Sequence, residues 1–386
     1  MLFKDIPGNR LIKKQLVSTF KNGRVSHAQL FSGNSGSAKL ALAIAYARFL
    51  NCSKKLADDS CGICLSCIKY NTLSHPDLHL IFPVLKLGGT KVNISDNFVN
   101  AWRNFIMKNI YGSLGGWINT FGKENKTGEK GTIYKDEVIS IHKKIALKNF
   151  ESHYRVILMW MPEQMDARTS NKLLKIFEEP PSGTIFLLVS ENPKKMLTTI
   201  ISRLQEIKIN DFSSKDMVSF FKNKNLSLER IMKLKNLADS DLGKMIQFLE
   251  DDTKDYDLFD DFALWMRITY KKDILSISKW VDSISTKGRK TQKLFLSYAI
   301  KIVRECLIFN FTSKKLLKTN EKEFDFISKF APFIHEENSV NIFEEIDRSI
   351  NAIDRNANAK ILFFELSLQM MMLLKVKRKF VINKNY

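Results

Sequence analysis

The sequence is poor in several features. Cysteine is scarce, five in 386 residues, which is too few for a disulfide scaffold. Long apolar runs are missing: nothing approaches the ~20 residues of a membrane-spanning helix. The opening stretch "MLFKDIPGNR" lacks the apolar core of a secretory signal. The expected location is therefore the cytoplasm, with no membrane partner. No internal repeat stands out, so a solenoid is not expected. Acidic residues are outnumbered, 41 against 61 lysines and arginines, leaving a net charge of +20. An excess of that sign suggests a polyanion close by, nucleic acid above all. A lysine-rich composition bias of the source organism is the alternative.

The hydrophobic fraction, 44%, is ordinary for a globular chain, and the length suits two or three domains. "RLIKKQLVSTF" has apolar residues at helical spacing. "HAQLFSG" reads as a buried strand entering a glycine-rich turn, and "AKLALAIAYARFLNC" as a strong helix. "HPDLHLIFP", "YRVILMWM" and "TIFLLVS" read as further strands, and "ARTSNKLLKIFEE" as a helix stopped by Pro180 and Pro181. Strands alternating with helices predict an α/β domain with a mainly parallel sheet. Residues of about 84–132, with "LGG", "YGSLGGW" and "FGKENKTGEKG", read as an insertion and a mobile surface excursion. Past Asn210 only helices are expected: "DMVSFFKNKN", "SLERIMKLKNLA", "DLGKMIQFLE", then an all-helical region from about residue 254.

Two motifs carry chemistry. "GNSGSAKL", Gly33 to Leu40, follows a strand and opens a helix, as a phosphate-binding P-loop must. Gly33, Gly36 and Lys39 are present. Ala38 replaces the second glycine of G-x-x-x-x-G-K-[ST], and Leu40 replaces the hydroxyl that holds magnesium. The second motif is Cys52-x8-Cys61-x2-Cys64-x2-Cys67. Two C-x-x-C steps let four thiolates converge on one ion, and Gly62 gives the turn its backbone freedom. Structural zinc is the expectation, with no open coordination position and so no catalysis. His75 or His79 is an alternative ligand, although "HPD" more simply forms a turn.

Together the degenerate P-loop, the cysteine insertion and "TSNKLLKIFEEPPSGTIFLLVSENPKKMLTTIISRLQ" resemble the bacterial DNA polymerase III clamp loader, and most of all its delta-prime subunits. The resemblance covers roughly residues 10–83 and 133–250. It implies an AAA+ module at 1–208 (knuckle 52–67, insertion about 84–132), a helical lid at 209–253, and a helical collar at 254–386. The collar would join gamma/tau-like motor subunits and a delta-like subunit in a five-membered ring, acting on a sliding clamp and primed duplex DNA.

The resemblance also allows a residue-by-residue check of the ATPase parts. The family's Walker B acids fall on Trp160, Met161, Pro162 and Glu163, so only the outermost acid remains. Its sensor arginine falls on Gly243. ATP is thus not expected to be bound or hydrolysed, and Gly33, Gly36 and Lys39 read as an empty P-loop. "SRL", Ser202 to Leu204, falls on the family's Ser-Arg-Cys motif, which makes Arg203 the candidate arginine finger for a neighbour. The competing readings are an active gamma/tau-like ATPase and a freestanding zinc-dependent nucleic-acid-binding protein.

Overall fold

The computed structural model describes residues 1–86, 93–124, 131–222, 226–238, 241–250, 258–311, 319 and 321–376. By its internal contacts the chain divides into two compact units, Met1–Asp251 and Asp252–Tyr386.

In the first unit, helix α1 (Arg10–Lys21) leads to strand β1 (Ala28–Ser32), the P-loop turn and α2 (Lys39–Asn51). The cysteine segment runs into α3 (Leu65–Asn71) and β2 (Leu78–Ile81). The insertion contributes α4 (Val99–Lys108) and α5 (Leu114–Ile118). There follow α6 (Lys135–Ala146), β3 (Arg155–Trp160), α7 (Ala167–Glu178), β4 (Thr184–Ser190), the short α8 (Thr198–Ile201) and β5 (Gln205–Lys208). Three helices complete the unit: α9 (Ser214–Lys222), α10 (Leu228–Leu237) and α11 (Leu242–Glu250).

The five strands pair in parallel in the order β2-β3-β4-β1-β5, with Leu30 opposite Leu188 and Leu158 opposite Leu187. Their continuous apolar runs follow from burial on both faces. Val156, Leu158, Trp160, Ile185, Leu187 and Val189 pack on the α2 side. Ile157, Met159, Phe186 and Leu188 pack on the side of α6 and α7. β1 is central, between β4 and β5, and the chain leaving it crosses to the far edge. A crevice therefore opens at the carboxyl end of β1, where the P-loop sits.

Local signals fix the ends of α7. The Asp166 carboxylate accepts the Thr169 N–H at 2.6 Å, and the helix stops before Pro180. Asp77 anchors β2 by accepting the N–H groups of Phe150, Glu151 and Ser152 at 2.6, 3.0 and 2.9 Å. Burial works against its charge, but these three bonds hold its pKa below the ordinary carboxylate value. A group depressed in this way stabilises the fold above the unfolded aspartate pKa, and that stability is lost as pH falls through the folded value. Asp77→Ala is expected to lower Tm at pH 7 by several degrees, with the difference shrinking in acid, as followed by thermal melts.

The insertion departs from expectation. Its base is where the sequence placed it, since Val84 and Thr132 exchange both backbone hydrogen bonds at 3.0 Å. Its described part, 93–124, is packed into the core and is no surface excursion. Trp102, Trp117 and Ile106 are buried, and Trp102 stacks on Phe82 at 4.9 Å. The apolar positions of α4, Trp102 among them, and Trp117 after it need a partner surface and find one beside β2 and β3. Residues 87–92 and 125–130 lie outside the described residues.

The second unit contains α12 (Leu258–Lys271), α13 (Ile274–Thr286), α14 (Arg289–Phe311), α15 (Glu321–Phe330), α16 (Glu336–Asp354) and α17 (Ala359–Leu373). Trp265 is stacked on Trp280 at 5.3 Å, with Phe295 against both and Phe363 against Trp280. The Trp265 indole N–H donates to Ser367 at 2.8 Å, so the one polar atom of that ring is satisfied. No helix among the described residues is long and apolar enough to cross a membrane.

Candidate functional site: a P-loop closed on itself, a cysteine knuckle and an exposed arginine

The P-loop turns back at Gly36, whose φ of +71° lies in the left-handed region. A Cβ at Gly36 would collide with the carboxylate of Asp241, which caps α11 by accepting the Lys244 N–H at 3.0 Å. The start of α11 is thus seated on the P-loop. Lys39 is almost fully buried. Its ammonium donates to the carbonyl of Asn34 in its own loop at 2.8 Å and pairs with Glu191 at 3.0 Å. Asn34 in turn donates to Asp211 at 2.9 Å. Glu191, Asp211 and Asp241 thus place three carboxylates against the loop.

Leu40 and Trp160, at positions where the resemblance expects magnesium ligands, are built into the core. Leu40 is 3% exposed and Trp160 is 1% exposed. Trp160 faces the insertion, with ring centroids 6.0 Å from Trp102 and 6.3 Å from Phe105. Glu163, the surviving acid, accepts the N–H groups of Glu191 and Asn192 at 2.8 and 3.1 Å, which makes it a cap on the end of β4. At Gly243, a Cβ would collide with the carbonyl oxygen of Tyr111.

The four cysteines converge. Cys52 follows α2, Cys61 lies in the turn, Cys64 caps α3 and Cys67 sits in its first turn. Their sulfurs all lie within 4.8 Å of one another, with Cys52–Cys61 at 3.6 Å and both Cys52–Cys64 and Cys61–Cys67 at 3.9 Å. A tetrahedron with metal–sulfur bonds of about 2.3 Å has edges of about 3.8 Å, so the donor set fits one zinc-sized ion. The spacing is far too long for disulfides, and none is present. Backbone N–H groups of Cys61 and Cys64 point at the sulfurs of Cys52 and Cys61, each at 3.3 Å. Such bonds stabilise thiolates and orient them. Burial pushes the Cys52 thiol up to about 12. At Cys64 burial acts in the same sense, but the bonds from Ser53 and the Cys67 N–H outweigh it and bring the thiol down to about 5. His75 and His79 are not among the cluster ligands. The buried His75 ring packs on Tyr70 and contacts Ser152 and Glu151, both at 3.1 Å. His79 lies in β2.

Arg203 follows α8 in the turn before β5. Leu204 packs into the core on the side of α6 and α7, leaving Arg203 with a third of its side chain in solvent. Its guanidinium is ion-paired with Glu178 at the end of α7 and donates to the Thr199 carbonyl at 2.6 Å. Arg203 thus stands apart from the chain's own P-loop lysine, held on an outer surface by a partner that is itself half-exposed.

A family model described as "DNA polymerase III, delta subunit" matches residues 8–213, more than half of the chain. The chain belongs to that family. The DNA polymerase III subunit delta' of Bacillus subtilis (strain 168) is 26% identical over 196 residues, 51% of this chain and 46% of that protein. The subunit tau of the same bacterium is 26% identical over 216 residues, 56% of this chain and 30% of that protein. The subunit delta' of Yersinia pestis is 26% identical over 192 residues, 49% of this chain and 43% of that protein. The chain thus spans less than half the length of these curated relatives. This is a delta-prime-like chain of the clamp-loader family.

Sequence reasoning missed Glu191 and Asp241, the two carboxylates that close the P-loop of this delta-prime-like chain. Asp241 lies in no motif, and Glu191, although inside the Thr169–Gln205 stretch, carries no assigned role there and is 152 positions from the lysine it neutralises. The one available signal was the simultaneous loss of the magnesium hydroxyl and of the Walker B acids, which frees the lysine for an internal partner.

Proposed function

We propose that the chain is a non-hydrolysing arm of a DNA polymerase III clamp loader. In this reading it takes a place beside gamma/tau-like motor subunits and a delta-like subunit in a five-membered ring. The ring places a sliding clamp on primed duplex DNA in the cytoplasm. Residues 1–208 act as a degenerate AAA+ module, 209–253 as its lid and 254–386 as the collar that joins the ring. Cys52, Cys61, Cys64 and Cys67 hold a structural zinc. Arg203 serves the ATP of a neighbour, and Gly33, Gly36 and Lys39 hold no nucleotide. The basic excess suits a DNA path through the ring.

The observation that carries this reading is the fate of Lys39. A lysine kept for phosphate is left open to it, whereas this one is buried and bonded to Asn34 and Glu191. The active-motor alternative would need a magnesium site, and Leu40 and Trp160 are core residues in its place.

The test is reconstitution with the motor and delta-like subunits of the same source. Omitting the chain is expected to abolish clamp loading on primed DNA. Lys39→Ala, once shown to be folded, is expected to load as the wild type does. Loss of loading by folded Lys39→Ala would return the chain to the active-motor class.

A further inference from the structure

We propose that the insertion is a built-in plug. Its helix α4 packs on β3 and its Asn109–Gly112 turn fastens onto the lid, so that protein atoms tie the sheet to the lid where a nucleotide would otherwise do so. The inference rests on the reading of the P-loop as empty, and it extends that reading to the lid.

Both ends of the plug are anchored. At its root, Trp102 and Phe105 of α4 pack against Trp160, the residue that stands where a metal-binding acid is needed. At its tip, Asn109 donates through Nδ2 to the Gly243 carbonyl of α11 at 2.8 Å, while its Oδ1 accepts the Tyr111 N–H at 3.1 Å. One side chain thus shapes the turn and ties it to the lid. The Tyr111 carbonyl lies so close to Gly243 that no side chain fits between them. Gly243 aligns with the sensor arginine of active relatives, so the backbone of the plug occupies the room of that arginine. The Tyr111 ring is buried edge-on against Phe212, at 5.6 Å, and against Phe220 of α9, at 6.1 Å. Across the cleft, Asp241 of the lid is seated on Gly36 of the P-loop.

In a working module the comparable link between sheet and lid runs through the nucleotide. There the lid closes on bound phosphates and reopens when they leave, so its position follows the nucleotide state. Here protein atoms hold it. The insertion thus packs on both Trp160 and Gly243, two positions at which the resemblance expects parts of an ATPase site. The lid of this chain is therefore held to the sheet by contacts of its own insertion.

Hydrogen–deuterium exchange on the full-length chain tests this, with two variants chosen to leave the core intact. Asn109→Ala removes the tie. Gly243→Ala forces the turn away from α11. Amides of residues 228–250 are expected to exchange roughly three- to tenfold faster in either variant, with β1 and β4 unchanged. Mg-ATP is expected to leave exchange in the wild type as it was. If Gly243→Ala does not fold, the half-buried Asn109 decides alone. Lid exchange as slow in the folded variants as in the wild type would overturn the plug and leave the empty P-loop standing. Slower lid exchange in the wild type on adding Mg-ATP would overturn both.

Discussion

Replacing Arg203 by alanine is expected to lower clamp- and primed-DNA-stimulated ATP turnover at the motor site proposed to lie next to this chain by about a thousandfold. This is the low end of what an arginine finger contributes to phosphoryl transfer. A guanidinium aimed at the γ-phosphate neutralises charge that develops only in the transition state, so the loss appears in turnover and not in ATP binding by the motor. Whole-ring turnover falls by the share that this one site carries, and single-turnover measurement resolves it from the other sites. The geometry adds a refinement. Arg203 is paired with Glu178, so the guanidinium is held in place before a neighbour arrives. Glu178→Gln is expected to keep most of the activity, because the arginine retains its bond to the Thr199 carbonyl. Arg203→Lys is expected to rescue little, since an ammonium lacks the planar fork. Rings must be shown to assemble equally well with each variant. Equal turnover with wild-type chain and Arg203→Ala would remove the trans-acting role.

Loss of the metal proposed for the knuckle is expected to have the second large effect. The segment around the cysteines has almost no core of its own: Leu56, Ile63, Leu65 and Ile68 are each more than half exposed. Cross-linking by an ion held on the four sulfurs would do there what apolar packing does elsewhere. Structural zinc contributes about 10–16 kcal/mol of apparent binding energy in isolated finger peptides. Here part of that is absorbed locally, because α2 and α3 remain anchored to the sheet. A net loss of about 4 kcal/mol corresponds to a drop in Tm of roughly 10 °C for a unit of this size. Elemental analysis is expected to give one zinc per chain, and Cys61→Ser or Cys64→Ser to abolish it together with that drop in Tm. If the cysteines were merely small packed residues, Cys→Ala variants would melt with the wild type.

Much of the architecture could be read from local pattern. β3 and β4 are unbroken apolar runs because helices cover both faces, and α7 carries its own start and stop at Asp166 and Pro180. The cysteine spacing was enough to bring four sulfurs together, since each step is set by one turn or one helix end. Features that depend on partners far along the chain were not legible. β5 is "QEIK", and only Ile207 among its residues is buried. An edge strand with polar neighbours has no alternation strong enough to notice. The insertion was misjudged because its glycines suggested a loop, whereas Trp102 and Trp117 decide its fate by packing on the β2–β3 side of the sheet. The closed P-loop is the clearest case. The motif showed which ligands were missing, but only the fold shows that Glu191 pairs with Lys39 and that Asp241 sits against Gly36.

The most direct test of the account is equilibrium binding of ATP to the purified chain, with and without magnesium, alongside assay of its turnover. The account predicts no stoichiometric binding at millimolar ATP and no magnesium-dependent hydrolysis above background, while the same preparation still supports ATP turnover by the motor subunits. Binding of one ATP per chain with magnesium-dependent turnover would contradict it, and would mean that Lys39 leaves Glu191 to serve a working site.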